Sequence, residues 1–142
     1  MEISVKSAER EFNALNRLFR GGMPVPEPIA RNRHVIVMSE IDGAPLNEIW
    51  YVENAEELLE EILKAVKTAY KLGIVHSELS EYNILVNNMG RFVIIDWPQY
   101  IEASNEESKQ FLMADLKRII FFFKKRFNVY VEIQDALSYV LK

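Results

Sequence analysis

The sequence predicts an α+β fold, mainly helical, with one short β-hairpin set among the helices. Three observations carry that reading. Apolar residues recur at helical spacing in several windows. Two short apolar runs, Ile84-Leu85-Val86 and Phe92-Val93-Ile94-Ile95, flank the turn-forming Asn87-Asn88-Met89-Gly90. A stretch punctuated by Pro24, Pro26 and Pro28 cannot continue a helix and must run extended.

Residues 7–20 place Ala8, Phe12, Leu15, Leu18 and Phe19 at helical periodicity. Ser7, with acids at 9 and 11, suits a helix start, and Gly21-Gly22 ends it. After the prolines, Val35-Ile36-Val37-Met38 reads as a strand, and Asp42-Gly43 as a turn. A second helix is expected from about Asn54 to Leu72, stopped by Gly73. The hairpin follows. A long helix is expected over 106–127; its run Ile119-Ile120-Phe121-Phe122-Phe123 is apolar on more than one face, which predicts a central position. A short helix over 132–141 ends the chain.

The 142 residues are 49% apolar, enough for one core, so a single domain over 1–142 is expected. The net charge of −4 gives no global pull toward nucleic acid or an anionic membrane. Lys124-Lys125-Arg126 reads as a solvated helix end. The absence of cysteine excludes disulfides and thiolate metal sites. No apolar run approaches a bilayer's thickness, and the opening Met-Glu-Ile-Ser-Val-Lys lacks signal-peptide character. No membrane partner and a cytoplasmic location are therefore expected.

The chemistry concentrates in one window. Residues 76–83 read His-Ser-Glu-Leu-Ser-Glu-Tyr-Asn, and Asp96 follows the hairpin in Ile-Ile-Asp-Trp-Pro-Gln. This spacing repeats the catalytic and metal loops of protein kinases, except that Glu78 stands where aspartate is expected. Magnesium takes oxygen ligands, so Asn83 and Asp96 are of the right types, and Glu78 is the candidate base. Each has a structural alternative when taken singly: Asn83 as a turn cap, Asp96 as a turn residue ahead of Pro98. Together, in register with His76 and Leu79, they read as a phosphoryl-transfer site. His76 is expected to be structural, packed on and hydrogen-bonded to the loop around Asp96, rather than a base or metal ligand. His34 is expected to be structural or exposed. Asp115, on a mainly apolar helix, is expected to accept backbone N–H bonds from the 76–83 loop.

Several stretches together resemble the RIO kinases. Met-Pro-Val-Pro-Glu-Pro-Ile-Ala-Arg-Asn-Arg-His-Val-Ile-Val-Met at 23–38 is similar to their segment between helix C and the hinge. His-Ser-Glu-Leu-Ser-Glu-Tyr-Asn resembles their catalytic loop, and Ile-Asp-Trp-Pro-Gln their metal loop. The Pro-Gln ending resembles the branch that carries an N-terminal winged helix. The resemblance implies a protein-kinase-like fold: 1–41 a remnant of the N-terminal lobe, with helix C and the hinge strand, and 42–142 the helical C-terminal lobe. It implies ATP and Mg2+ as cofactors, with Mn2+ as the alternative ion. By position it implies Met38 as gatekeeper, hinge groups on Ser39 and Ile41, Leu85 and Ile95 beneath the base, and Asn83 and Asp96 on the metal. It implies that Glu11 pairs with a strand lysine, that Asp96 can itself take a phosphoryl group, and that the chain acts in small-subunit ribosome maturation.

Two departures qualify what the resemblance implies. Only Met1 to Lys6 precede the first helix, so the phosphate-covering loop and the strand lysine are expected to be missing, and Glu11 to lack that partner. Glu78 carries its carboxylate one methylene farther out than aspartate would. The sequence therefore supports two readings. One is an ATP-dependent serine/threonine kinase or ATPase, completed by a companion chain. The other is a catalytically impaired module that docks on a pre-ribosomal small subunit. An exposed apolar face, with self-association, is expected where further strands would pack against helix 7–20.

Overall fold

A computed structural model of the chain describes residues 5–32, 35–39 and 41–142, apart from the side chains of Val5 and Lys6. His34 and the comparison of Lys6 with a strand lysine lie outside the described residues. The described residues begin with helix α1 (Val5–Arg20), which buries Ala8, Ala14, Leu15 and Leu18. The proline stretch that follows is more ordered than its composition predicts: it leads into strand β1 (Pro28–Arg31), paired antiparallel with β2 (Ile36–Met38). Proline at the first residue of an edge strand has no ladder N–H to lose, which is why the strand survives it.

Strand β3 (Ala44–Pro45) leads into a single 3-10 turn at Leu46–Glu48. Helix α2 (Ala55–Lys71) starts where Asn54 accepts a hydrogen bond from the Glu57 N–H at 3.0 Å, an N-cap reinforced by Glu56 and Glu57 in the first turn. Strand β4 (Ile74–Val75) enters the 76–83 loop. Strands β5 (Ile84–Val86) and β6 (Phe92–Ile94) form the expected hairpin, with Leu85 opposite Val93. Asn87 builds the turn: its side-chain oxygen accepts from the N–H groups of Met89 and Arg91. Strand β3 pairs with β5, and the two-residue β7 (Ile101–Glu102) pairs with β4.

Helix α3 (Ser108–Phe127) ends at Asn128, whose φ of 57° closes it in the left-handed region. Helix α4 (Ile133–Leu141) packs on α2 and α3. The long helix is central as expected, with Leu112, Leu116, Ile119, Ile120, Phe122 and Phe123 buried. Phe121 is the exception, 63% exposed. A single helix cannot turn five consecutive side chains inward, so one of the run faces solvent.

One continuous core joins α1, the 23–25 segment, the hairpin and all three later helices. Alternation along β5 turns Ile84 and Val86 into it, while Leu85 is half-buried on the other face. Trp97, buried directly after Asp96, donates its indole N–H to the Ile94 carbonyl at 2.9 Å. The loop bearing Asp96 is thus anchored from beneath. Among the described residues no helix is long and apolar enough to cross a membrane.

Candidate active site at the end of the hairpin

The 76–83 loop is held by side chains rather than by a ladder. The Ser77 and Leu79 N–H groups donate to the two oxygens of Asp115, at 2.9 and 3.1 Å. The Glu78 N–H donates to His76 Nδ1 at 3.2 Å, and the Glu78 carbonyl accepts from Asn83 Nδ2 at 3.1 Å. Arg118 supplies the rest: its Nε donates to the Leu79 carbonyl at 2.7 Å and its Nη2 to the Ser77 carbonyl at 3.3 Å. Every main-chain polar group of residues 77–79 therefore bonds to a side chain.

Burial shapes the charges in this network. Asp115 is 1% exposed, and removal from water pushes its carboxyl up to about 6, against the pull of the Ser77 and Leu79 N–H groups and of Arg118. Arg118 Nη2 lies 2.6 Å from Asp115 Oδ1. His76 is also buried, and desolvation holds its imidazole below the ordinary histidine range. With Nδ1 accepting from Glu78, Nε2 carries the proton and donates it to the Ile95 carbonyl at 2.9 Å. Its ring also rests against Trp97, with centroids 4.5 Å apart. His76 thus ties the 76–83 loop to the loop that bears Asp96.

Asn83 stands at the open end of the hairpin, just before β5, and Asp96 follows just after β6. The Ile95 N–H donates to the Asn83 carbonyl at 2.9 Å, extending the β5–β6 pairing by one residue, and Asp96 is next in the chain. Asn83 is itself held, its Oδ1 accepting from the Ser80 N–H at 2.8 Å. Asp96 is exposed, and its carboxylate has no hydrogen bond or ion pair among the described residues. Its backbone sits at φ 72°, a left-handed conformation that few non-glycine residues adopt; Ser77 does the same at 78°.

Glu11 reaches this loop from α1. It accepts from the Trp97 N–H at 2.9 Å, which ties the carboxylate to the main chain just after Asp96. Burial raises the Glu11 pKa first; the Trp97 N–H opposes that, and the charge on Asp96 adds to it. Arg10, one residue earlier, donates to the Pro98 carbonyl at 3.0 Å and to the Tyr100 carbonyl, with its guanidinium 4.3 Å from the Tyr100 ring centre.

Met38, Ser39 and Ile41, the residues expected to form a hinge, stand apart. Met38 is half-buried against the core, and Ser39 and Ile41 are half-buried beyond β2. The Ser39 N–H is committed to the Glu27 carbonyl at 2.9 Å, and its hydroxyl accepts from the Glu27 N–H. Among the described residues, no hydrogen bond links this trio to the 76–83 loop. Leu85 and Ile95 are half-buried on the hairpin, Leu85 on the face opposite the core-facing Ile84 and Val86. An open groove of about 540 Å³ lies beside Glu78, lined also by Ser7, Arg10, Ser77, Gln99 and Phe111.

The donor set fits magnesium better than a protein-enclosed metal. Among the described residues no three His, Asp or Glu side chains converge on one point. What the hairpin end offers is an amide and an exposed carboxylate, and magnesium commonly takes one or two such groups and completes its shell with phosphate and water.

Arg118 and Arg10 were not singled out from the sequence. Arg118 stands three residues after Asp115, a spacing that puts both on one helix face, and that was the available signal. Arg10 offered none, since its acceptors are carbonyls some ninety residues away.

The RIO domain family matches residues 1–136. The RIO-type serine/threonine-protein kinase Rio2 of Methanocaldococcus jannaschii is 37% identical over 99% of this chain and 55% of that protein. The serine/threonine-protein kinase rio2 of Dictyostelium discoideum is 33% identical over 89% of this chain and 24% of that protein. The crystal structure of the Rio2 kinase–ADP/Mg2+–phosphoaspartate complex from Chaetomium thermophilum superposes with a TM-score of 0.83 at 28% identity, covering 94% of this chain and 44% of that one. The fold is therefore protein-kinase-like α+β, as the sequence predicted. The chain spans about half the length of the first of these relatives and less of the others.

Proposed function

The chain belongs to the RIO domain family, that of the RIO-type atypical serine/threonine kinases, and from that premise we propose that it binds Mg-ATP and takes part in phosphoryl transfer at the open end of the β5–β6 hairpin. The observation that supports this reading is the Ile95–Asn83 main-chain hydrogen bond, which brings the backbone of Asp96 within one residue of Asn83's strand partner at the open end of the hairpin. Asn83 and Asp96 are the residues that would hold the ion. Mg-ATP, when bound, supplies the phosphoryl group and neutralises its charge.

The protein's own residues do the rest. Glu78 orients the acceptor hydroxyl and takes its proton. Asp115 and His76 fix the loop that carries Glu78, and Glu11 fixes the main chain just after Asp96. Met38, the Ser39 carbonyl, Ile41, Leu85 and Ile95 would receive the adenine. The Chaetomium thermophilum structure contains a phosphoaspartate; in this chain Asp96 is the carboxylate we assign to such a role.

A second reading is favoured by Glu78: a nucleotide-binding module of low turnover, acting through partners such as a pre-ribosomal small subunit, a companion chain or a second copy. A carboxylate displaced by about 1 Å can cost on the order of a hundredfold in rate. One experiment separates the readings. Thermal shift with Mg-ATP, together with transfer of the γ-phosphate, is measured on the chain and on Asp96→Asn. A shift with turnover, both lost in the variant, supports the enzyme. A shift without turnover supports the module, and no shift ends both.

A further inference from the structure

The two residues flanking Glu78 are held through their main chain by two side chains of opposite charge on one helix. Asp115 takes their N–H groups, and Arg118 takes their carbonyls while also bonding Asp115. We propose that Arg118 is a positioning residue for the reaction at Glu78: its guanidinium bridges the Ser77 and Leu79 carbonyls to the Asp115 carboxylate and thereby sets where the Glu78 side chain emerges. The inference rests on the phosphoryl-transfer reading of the site and adds a residue to it.

The chemistry of the group suits the task. A guanidinium is planar, stays charged, and presents several donors in a fixed fork, so one side chain can serve three acceptors at once. A lysine ammonium is a flexible point charge and cannot reproduce that fork. Arg118 is not core packing, because its side chain is 41% exposed, whereas its partner Asp115 is 2% exposed on the same measure. Losing it leaves the helix intact and frees one edge of the loop. Glu78 has no such anchor of its own: its carboxylate is exposed and makes no hydrogen bond among the described residues. Its placement therefore comes from the main chain, and small errors there are costly for a group that must meet a proton in transit.

The test uses the full chain with Mg-ATP, in Arg118→Ala and Arg118→Lys. The alanine variant is expected to lose about ten- to a hundredfold in kcat, with KM for ATP nearly unchanged, because Asn83 and Asp96 are not its partners. The lysine variant is expected to fall between the two. The acid limb of the rate profile should move to higher pH in Arg118→Ala, since a cation that favours ionised Asp115 has gone. Amide exchange at Ser77 and Leu79 should quicken while exchange in α2 does not. Unchanged kcat, or a lysine variant equal to wild type, would overturn the proposal. So would a rate loss matched by global destabilisation with no selective change at 77 and 79. A wild type without turnover sinks the phosphoryl-transfer reading alone. Amide exchange then decides Arg118, with faster exchange at 77 and 79 in the alanine variant supporting the clamp and unchanged exchange overturning it.

Discussion

Glu78 projects from a loop whose main chain is already fully bonded, so the loop has little freedom to compensate for the extra methylene. Shortening the side chain is therefore expected to help. Glu78→Asp should raise kcat for phosphoryl transfer by up to about a hundredfold, measured by steady-state turnover, whereas Glu78→Gln should lower it. Asp115 makes a pH prediction with a definite sign. Its carboxyl titrates at about 6 in the fold against an ordinary 3.8. Between those values the folded chain holds a proton that the unfolded chain has lost, so this group's contribution to stability falls as pH rises, by about 3 kcal/mol at most. His76 works the other way: its depressed pKa leaves it neutral where the unfolded imidazole charges, so below the ordinary 6.5 its contribution falls as pH falls. Thermal unfolding of the chain and of Asp115→Asn from pH 4 to 7.5 should show the first slope missing from the variant. Activity should meanwhile fall on the acid side of about pH 6, as a protonated Asp115 gives up part of its hold on the loop.

At the scale of elements, each end tells how far the sequence could be read. Helices α2 and α3 follow from periodicity, and Asn54 marks the start of α2 in residue type as well as position. Asn54→Ala should cost about 1 kcal/mol in chemical denaturation. The hairpin was legible because Asn87 to Gly90 carry turn chemistry. The two-residue strands β4 and β7 were not: Ile74 pairs with Glu102, and nothing local in either pair announces a partner so distant. Strand β1 was hidden by prolines that its edge position tolerates. Around the candidate site, the hairpin between Asn83 and Asp96 was legible from spacing and turn residues, but the bonds of Arg118 and Arg10 to remote carbonyls depend on the fold itself. Gly43 is another case that only the fold explains. Its φ is 152°, and a Cβ there would meet the Val86 carbonyl carbon and oxygen at 3.0 Å, so Gly43→Ala should destabilise the β3–β5 pairing by about 1–3 kcal/mol, seen as a lower melting temperature.

Over the whole molecule the core is continuous, yet one edge is thinly covered. Ile29, Val35 and Val37, along or beside the β1–β2 ribbon, are 50–60% exposed, and Phe19 at the end of α1 is 42% exposed. Two-stranded ribbons with unpaired edges invite further strands. The chain is expected to self-associate through this ribbon. Sedimentation over a range of concentrations should show it, and the double change Ile29→Lys with Val37→Lys should give a monomer. A wild-type monomer at every concentration would remove the ribbon from consideration.

The left-handed backbone at Ser77 and Asp96 bears on any attempt to harden this domain against heat. Glycine at 77 would relax one of the two twists, at the expense of the hydroxyl's bond to the Gln99 carbonyl. The same remedy at 96 would erase the carboxylate itself. On the proposed function that carboxylate has to stay, and robustness is to be sought in other parts of the chain.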